Sequence, residues 1–322
     1  MRNKTLLMGT LVLGLVTLVV LNVNKSSENV KAVTKPLIDN EILNHPARLV
    51  IKSGVKTSTI EHLNGDWVVK ERFDLPVDTE NRLLPLISSL QKAENFGLLT
   101  SNPKRLEKLN LSDALILITG ENGKTFAAEI GKPTDDALGN AMRIQGETSA
   151  IRTNFAGYIE ADPAAWINPI LYSIKPEDVK NVTFKFTDEK TFFARSAKDK
   201  KFNDQENPWL ENFVLNLATL RISDAQGKGI TTTEQAFKQC SVIIFELFDG
   251  SSITTTWARE IGPESKEPKY FVRAQHSDRQ NKINLVGQKA EFLCPSWLME
   301  QIPTSTADLN KRLNPPTETP NN

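Results

Sequence analysis

Catalysis and ligand capture leave recognisable residue sets, and the three histidines are the first to test. His45, His62 and His276 are scattered, beside a strand entry, in a hairpin and in a loop. None has the His-Glu-x-x-His spacing that brings two imidazoles to one metal on a helix face. No Gly-x-Ser-x-Gly turn exposes a serine nucleophile, and no Asp-rich calcium loop occurs. Asp135-Asp136 offers two carboxylates to a cation, but adjacent loop acids more commonly cap a turn and face water. Gly120 to Thr125 reads Gly-Glu-Asn-Gly-Lys-Thr and ends like a phosphate-binding loop, whose first glycine would have to stand at Ile118. Apolar runs on both sides make it a hairpin across Asn122-Gly123 instead, with no helix to point at a phosphate. Cys240 and Cys294 lack the paired spacing of a zinc or redox motif. They could form one disulfide in an oxidising compartment, and in a reducing one they are small buried apolar residues. With 39 basic and 39 acidic residues, no field favours nucleic acid. The expectation is no catalytic set, no metal and no cofactor.

What does recur is Arg143, which returns as Arg273 inside a longer repetition. Glu129-Ile130-Gly131 returns as Glu260-Ile261-Gly262, and Asn154 to Gly157 as Asn284 to Gly287. Pro163 with Trp166 returns as Pro295 with Trp297. The offsets are 131, 130, 130 and 131 for Gly131, Arg143, Gly157 and Trp166. The arginines read as an anion contact or a core-edge salt bridge, and the salt bridge is favoured because a duplicated unit preserves packing more readily than two working sites. Trp67, Gly131, Arg143, Trp166, Gly262, Arg273 and Trp297 are the structural positions of the repeat, and both closing tryptophans are expected to be buried.

The elements that position these residues point to an α+β fold, two tandem copies of a β-rich unit with short helices over 46–172 and 173–303. Thr57 to Leu63 meets Trp67-Val68-Val69 across Asn64-Gly65, a strong hairpin signal. Asp78 caps a helix through Leu83, Leu86, Ile87 and Leu90, with Pro85 kinking it or setting its start. Ala114 to Ile130 forms a second hairpin, and strands follow at Met142 to Gln145 and Ala150 to Thr153. Val182, Phe184 and Phe186 alternate as a strand, returned by Thr191-Phe192-Phe193. Asn207-Pro208 starts a helix to Leu220. Residues 304–322, rich in Pro, Thr and Asn, read as a disordered tail.

Ahead of this lies an uncharged run from Thr5 to Asn24, about the 20 residues a helix needs to cross a bilayer. Arg2 and Lys4 before it predict a short cytoplasmic stub at 1–4, with the bulk of the chain outside the cytoplasm. Val30-Lys31-Ala32 offers the competing reading of a cleaved signal peptide, but the run is longer than the ~7 to 15 residues of a signal core. Residues 25–45 read as a linker.

Together, Trp67, Asp78, Leu90, Ile130-Gly131, Arg143 and Trp166 make the chain resemble the DUF4340 family of bacterial envelope proteins, over Pro46 to about Pro303. One departure is Leu109-Asn110-Leu111, where Tyr-Gly-Leu is common. The resemblance implies a bacterial cytoplasmic-membrane protein, single-pass, facing the periplasm, with no established reaction. Some members are similar to auxiliary parts of ABC-type export systems, including those linked to gliding motility. The function expected is therefore an anchored scaffold docking on an integral membrane partner such as an ABC permease, with no nucleic acid. The alternatives are a module binding envelope polymer or a small ligand between the two units, and an enzyme of unrecognised type.

Overall fold

The computed structural model describes residues 35–315, apart from 112–113, 135–138, 158, 188 and 262–266. The apolar run from Thr5 to Asn24, the acids Asp135 and Asp136, and Gly262 lie outside the described residues. Within them, no helix is long and apolar enough to cross a membrane.

Folded chain begins earlier than the polar composition of residues 25–45 suggests. A short edge strand β1 (Lys35–Pro36) leads into helix α1 (Asn40–Asn44), whose first turn is capped by Asp39 accepting from Glu41 N at 3.0 Å. Ile38, Ile42 and Leu43 are buried. Ile38 precedes the Asp39 cap, and Ile42 and Leu43 lie within the helix, so residues on both sides of the cap dock the segment, and 35–45 belong to the fold, not to the expected linker.

The first sheet follows. β2 (Pro46–Ser53), β3 (Lys56–Leu63), β4 (Asp66–Val69) and β5 (Leu75–Pro76) form a meander. Asn64 and Gly65 both have positive φ, 52° and 90°, as the two-residue turn between β3 and β4 requires. Asp78 caps the next helix through Asn81 N at 3.3 Å. A π-turn over Thr79–Leu83 precedes α2 (Leu84–Gln91), and it admits Pro85, which has no N–H to donate and would crowd a regular α-turn. β6 (Glu94–Thr100), α3 (Pro103–Glu107), the hairpin β7 (Leu115–Gly120) with β8 (Thr125–Pro133), then β9 (Asn140–Ile144) and β10 (Ala150–Thr153) complete it. Asn110 takes φ 52°, so asparagine supplies the left-handed turn that glycine would otherwise make.

β11 (Ile170–Ser173) crosses to the second half, where it pairs with the strand Thr219–Arg221. There the order is β12 (Val179–Lys185), β13 (Lys190–Ala194), α4 (Pro208–Leu217), β14 (Thr219–Arg221), β15 (Asp224–Gln226), α5 (Thr231–Ala236), β16 (Ser241–Leu247), β17 (Ser252–Glu260), β18 (Lys269–His276), α6 (Lys282–Gly287), β19 (Glu291–Leu293) and α7 (Ser296–Met299). All strand pairings are antiparallel. The first sheet runs β1-β6-β10-β9-β8-β7-β2-β3-β4-β5 and the second β13-β12-β16-β17-β18-β19-β15. Read from the β6 and β15 ends, seven strands follow one order in both. The sheets differ at their margins, for β4 and β5 cover β3, whereas among the described residues no strand pairs with the outer side of β13.

The tail is a correction. Residues 304–313 are not disordered: α8 (Thr306–Leu313) is capped by Ser305 accepting from Asp308 N at 3.1 Å, and it buries Leu309 completely. Ser305-x-x-Asp308 ahead of Leu309 and Leu313 is a capping pattern on an amphipathic stretch, which the Pro- and Thr-rich flanks conceal.

One apolar core runs through both halves, including Ile51, Ile60, Ile116 and Trp166 from the first and Phe184, Phe245 and Trp257 from the second. Arg72 joins the halves by a two-pronged ion pair to Asp224, Nε to Oδ1 at 2.5 Å and Nη2 to Oδ2 at 3.2 Å. Cys240 and Cys294 are free thiols, and burial pushes the Cys294 pKa up to about 12. Only the thiolate is nucleophilic, so native protein at pH 8 is expected to leave Cys294 unalkylated by iodoacetamide until urea unfolds it. Peptide mass mapping before and after unfolding checks this; rapid native labelling of Cys294 would contradict it.

Candidate functional site

Arg143 and Arg273 both enter ion pairs, as the salt-bridge reading expected, but their settings differ. Arg143 on β9 faces Glu129 across the β8 ladder and donates from Nε to its Oε2 at 2.5 Å, both side chains being about one-third exposed. Arg273 on β18 has Thr256 at the corresponding place on β17. Its acids come from elsewhere. Glu291 on β19, only 2% exposed, receives Nε at 2.9 Å and Nη2 at 2.8 Å, and Glu234 on α5 receives Nη2 at 2.6 Å. The guanidinium also lies 3.9 Å from the centroid of the Phe237 ring, a cation–π contact. The Glu291 hydrogen bond raises the Arg273 pKa, against a lowering by desolvation.

Arg273 forms part of the wall of a cleft of about 460 Å³ at the junction of β18 and α6. Lys228, His276 and Arg279 share the lining with Gln275 and Gln288, over a floor that includes Ala274, Ala290 and Phe292, and among the described residues no carboxylate lines it. Asn284 on α6 braces the rim: its Oδ1 accepts from His276 N at 2.9 Å, and its Nδ2 donates to His276 O at 2.9 Å and to Asp278 O at 2.7 Å. His276 Nδ1 accepts from Asp278 N at 3.0 Å, which leaves Nε2 to carry the proton of the neutral ring. A confined, cationic, amide-lined cleft of this kind suits recognition of a small anion.

Two histidines are less scattered than the sequence suggests. His45 and His62 line one groove of about 730 Å³, with Trp67, Leu83 and Ile87 among its other residues. The His62 and Trp67 ring centroids are 5.2 Å apart. This proximity is created by the hairpin and by the docking of α1 and α2, and no sequence spacing encodes it. Among the described residues no group of three His, Cys, Asp or Glu side chains could hold a metal. Between the halves lies a cleft of about 400 Å³ in which Trp67 is the one aromatic lining residue, beside Asp78, Glu80, Arg221 and Lys282.

The remaining repeat positions divide. Gly131 is required sterically, since a Cβ there would stand 2.4 Å from Leu109 O, and the close approach is fixed by Lys132 N donating to Leu109 O at 2.9 Å. Trp166 is 2% exposed and donates from Nε1 to Glu160 O at 2.7 Å. Trp297 contradicts its expected burial at 51% exposed. In the four-residue α7 only one side can meet the core, and Leu298, 1% exposed, takes it.

The strand register also revises the sequence alignment. Ile130 opposite Met142 corresponds to Trp257 opposite Val272, so Gly131 falls on Ala258, not on Gly262. Asn154 to Gly157 follow β10, whereas Asn284 to Gly287 lie in α6, before β19. These two Asn-to-Gly segments therefore hold different places in their sheets.

A family model described as Domain of unknown function (DUF4340) matches residues 67–238, more than half of the chain. The match opens at Trp67 in β4 and closes just ahead of β16, so it spans both halves and includes Gly131, Arg143 and Trp166 but not Arg273 or Trp297. No curated protein and no solved structure matches the chain.

Proposed function

Because the chain belongs to the DUF4340 family, which is defined by sequence with no assigned function, we propose that it works by association: an anchored extracytoplasmic scaffold docking on an integral membrane assembly. The assembly implied by the resemblance is an ABC-type export system in a bacterial cytoplasmic membrane. The anchor is the apolar run from Thr5 to Asn24, and confinement near the bilayer raises the effective concentration of the fold for membrane partners. The same order of seven strands in the two sheets supports a tandem origin for the two units.

The observation that carries this reading is the uncovered edge of β13. Arg195 N donates inward to Lys180 O at 3.0 Å and Phe186 N to Glu189 O at 2.9 Å, so by the alternation of an antiparallel ladder Lys190, Phe192 and Ala194 direct their backbone groups outward. Asn203 Oδ1 takes the Ala194 N–H at 3.0 Å. Among the described residues no strand pairs with the outward groups of Lys190 and Phe192, and Phe192 is 49% exposed. An extended segment of the membrane partner can add a strand there, with an apolar residue beside Phe192.

A photo-crosslinking amino acid at Phe192, in the full chain in its membrane, is expected to capture a protein with membrane-spanning segments. The same probe at Val55, fully exposed in the turn between β2 and β3, captures none. Capture of a second copy, or equal capture from both positions, overturns the docking assignment. An inactive alkaline phosphatase fusion at Asn322 overturns the orientation.

A further inference from the structure

We infer that the cleft beside Arg273 is a binding site for a small oxyanion carried on a hydroxyl-bearing body, the chemistry that a sugar phosphate and an acidic saccharide share. Its volume of about 460 Å³ lies in the range of small-ligand sites, roughly 300 to 1,000 Å³. Four of its lining side chains are basic or imidazole and none is acidic. Arg273 is already committed to Glu291 and Glu234, so these three groups sum to one negative charge and Arg273 acts as a positioning residue. Counting the lining side chains with that triad, Lys228 and Arg279 bring the sum to one positive charge, while Asp249, which interacts electrostatically with His276, and Asp278 stand outside the lining. Neither Lys228 nor Arg279 has an ion-pair partner among the described residues.

The two free cations arrive from different elements, Lys228 from the loop after β15 and Arg279 from the turn between β18 and α6. That turn is held in place by the three hydrogen bonds of Asn284. The brace holds the backbone next to Arg279, so less backbone freedom is lost when an anion binds, which favours affinity. Gln275 and Gln288 supply amide groups that both donate and accept, the pairing that hydroxyl groups need, and His276 adds an Nε2 donor. Ala274, Ala290 and Phe292 leave an apolar surface for the carbon face of the ligand. A bare anion would leave those amides and that surface unused.

Isothermal titration calorimetry on the full chain in micelles of a neutral detergent tests the site, with inorganic phosphate, glucose phosphate, digalacturonate and uncharged glucose as probes. Glucose phosphate or digalacturonate is expected to bind one per chain and more tightly than inorganic phosphate, and whichever is tighter identifies the source. The double variant Lys228→Ala/Arg279→Ala is expected to weaken that binding by about tenfold to a hundredfold, the loss of one or two charge-assisted hydrogen bonds. Both side chains are exposed, so the thermal midpoint should not move, and Lys104→Ala on α3 should leave affinity unchanged. The inference is overturned if no charged probe binds, if glucose binds as well as its phosphate, if inorganic phosphate matches both larger probes, or if the double variant retains full affinity.

Discussion

Replacing Arg273 with methionine is expected to cost about 2 to 4 kcal/mol of folding stability, somewhat below the loss for one partner of a fully buried ion pair because the arginine is itself 34% exposed. The cost arises from what is left behind. Glu291 is 2% exposed and both of its oxygens bond Arg273, so without the guanidinium a carboxylate must either stay buried and unpaired or take up a proton. Arg143→Met, at the corresponding place in the first sheet, is expected to cost less than about 1 kcal/mol, because both Arg143 and Glu129 keep contact with water. Replacing Arg273 and Glu291 together by methionine and leucine should recover most of the loss, since similar-sized apolar pairs substitute for buried ion pairs at little cost. Urea unfolding followed by circular dichroism reads all three variants. Equal losses for Arg273→Met and Arg143→Met, or a double variant no better than the single one, would show that Glu291 is not the source of the penalty.

Local turn chemistry was legible in the sequence and tertiary convergence was not. Asn64-Gly65 and Asn122-Gly123 announce hairpins because few other residues accept positive φ, and both hairpins form where expected. Asp78 and Asn207 act as helix caps for the same local reason. The α+β character follows from such signals, and the structure is strand-rich with short helices. Alignment by similar residues failed where insertions shift the strands. Glu129 faces Arg143 while Thr256 faces Arg273, so the recurring Glu-Ile-Gly triplets stand four residues out of register along β8 and β17. Insertion of α6 before β19 then moves Asn284 out of step with Asn154.

Composition misled at both margins of the fold. The segments 35–45 and 304–313 are polar on average, yet the short capped helix of the first buries Ile42 and Leu43 and that of the second buries Leu309. Averages over a window erase that kind of signal. For the candidate site, Arg273 was marked by its recurrence, but Lys228, His276 and Arg279 gather around it only once β15, β18 and α6 have packed. The joint presence of His45 and His62 in one groove depends in the same way on contacts between distant elements.

The closing tryptophans provide the sharpest contrast between matching sequence and matching environment. Trp166→Ala is expected to cost roughly 3 to 5 kcal/mol, the range for removing a buried aromatic, and Trp297→Ala less than about 1 kcal/mol, as for an exposed side chain outside any special contact. Trp166 is 2% exposed. Its indole N–H is spent on Glu160 O, and its carbonyl accepts from Asp78 N at 2.8 Å, so the residue ties the end of the first half to the start of the π-turn ahead of α2. Truncation empties a volume that this rigid surround cannot close. Trp297 has no such surround: half of it meets water, and Leu298 fills the inward position of α7. The aromatic burial that the second half needs is supplied by Trp257, fully buried in β17, where the register places Ile130 in the first sheet. Trp257→Ala should therefore resemble Trp166→Ala in cost, while Trp297→Ala behaves as a surface change. Urea midpoints of the three variants decide the matter, and a Trp297→Ala loss as large as that of Trp166→Ala would mean that α7 is covered by contacts beyond those of the single chain.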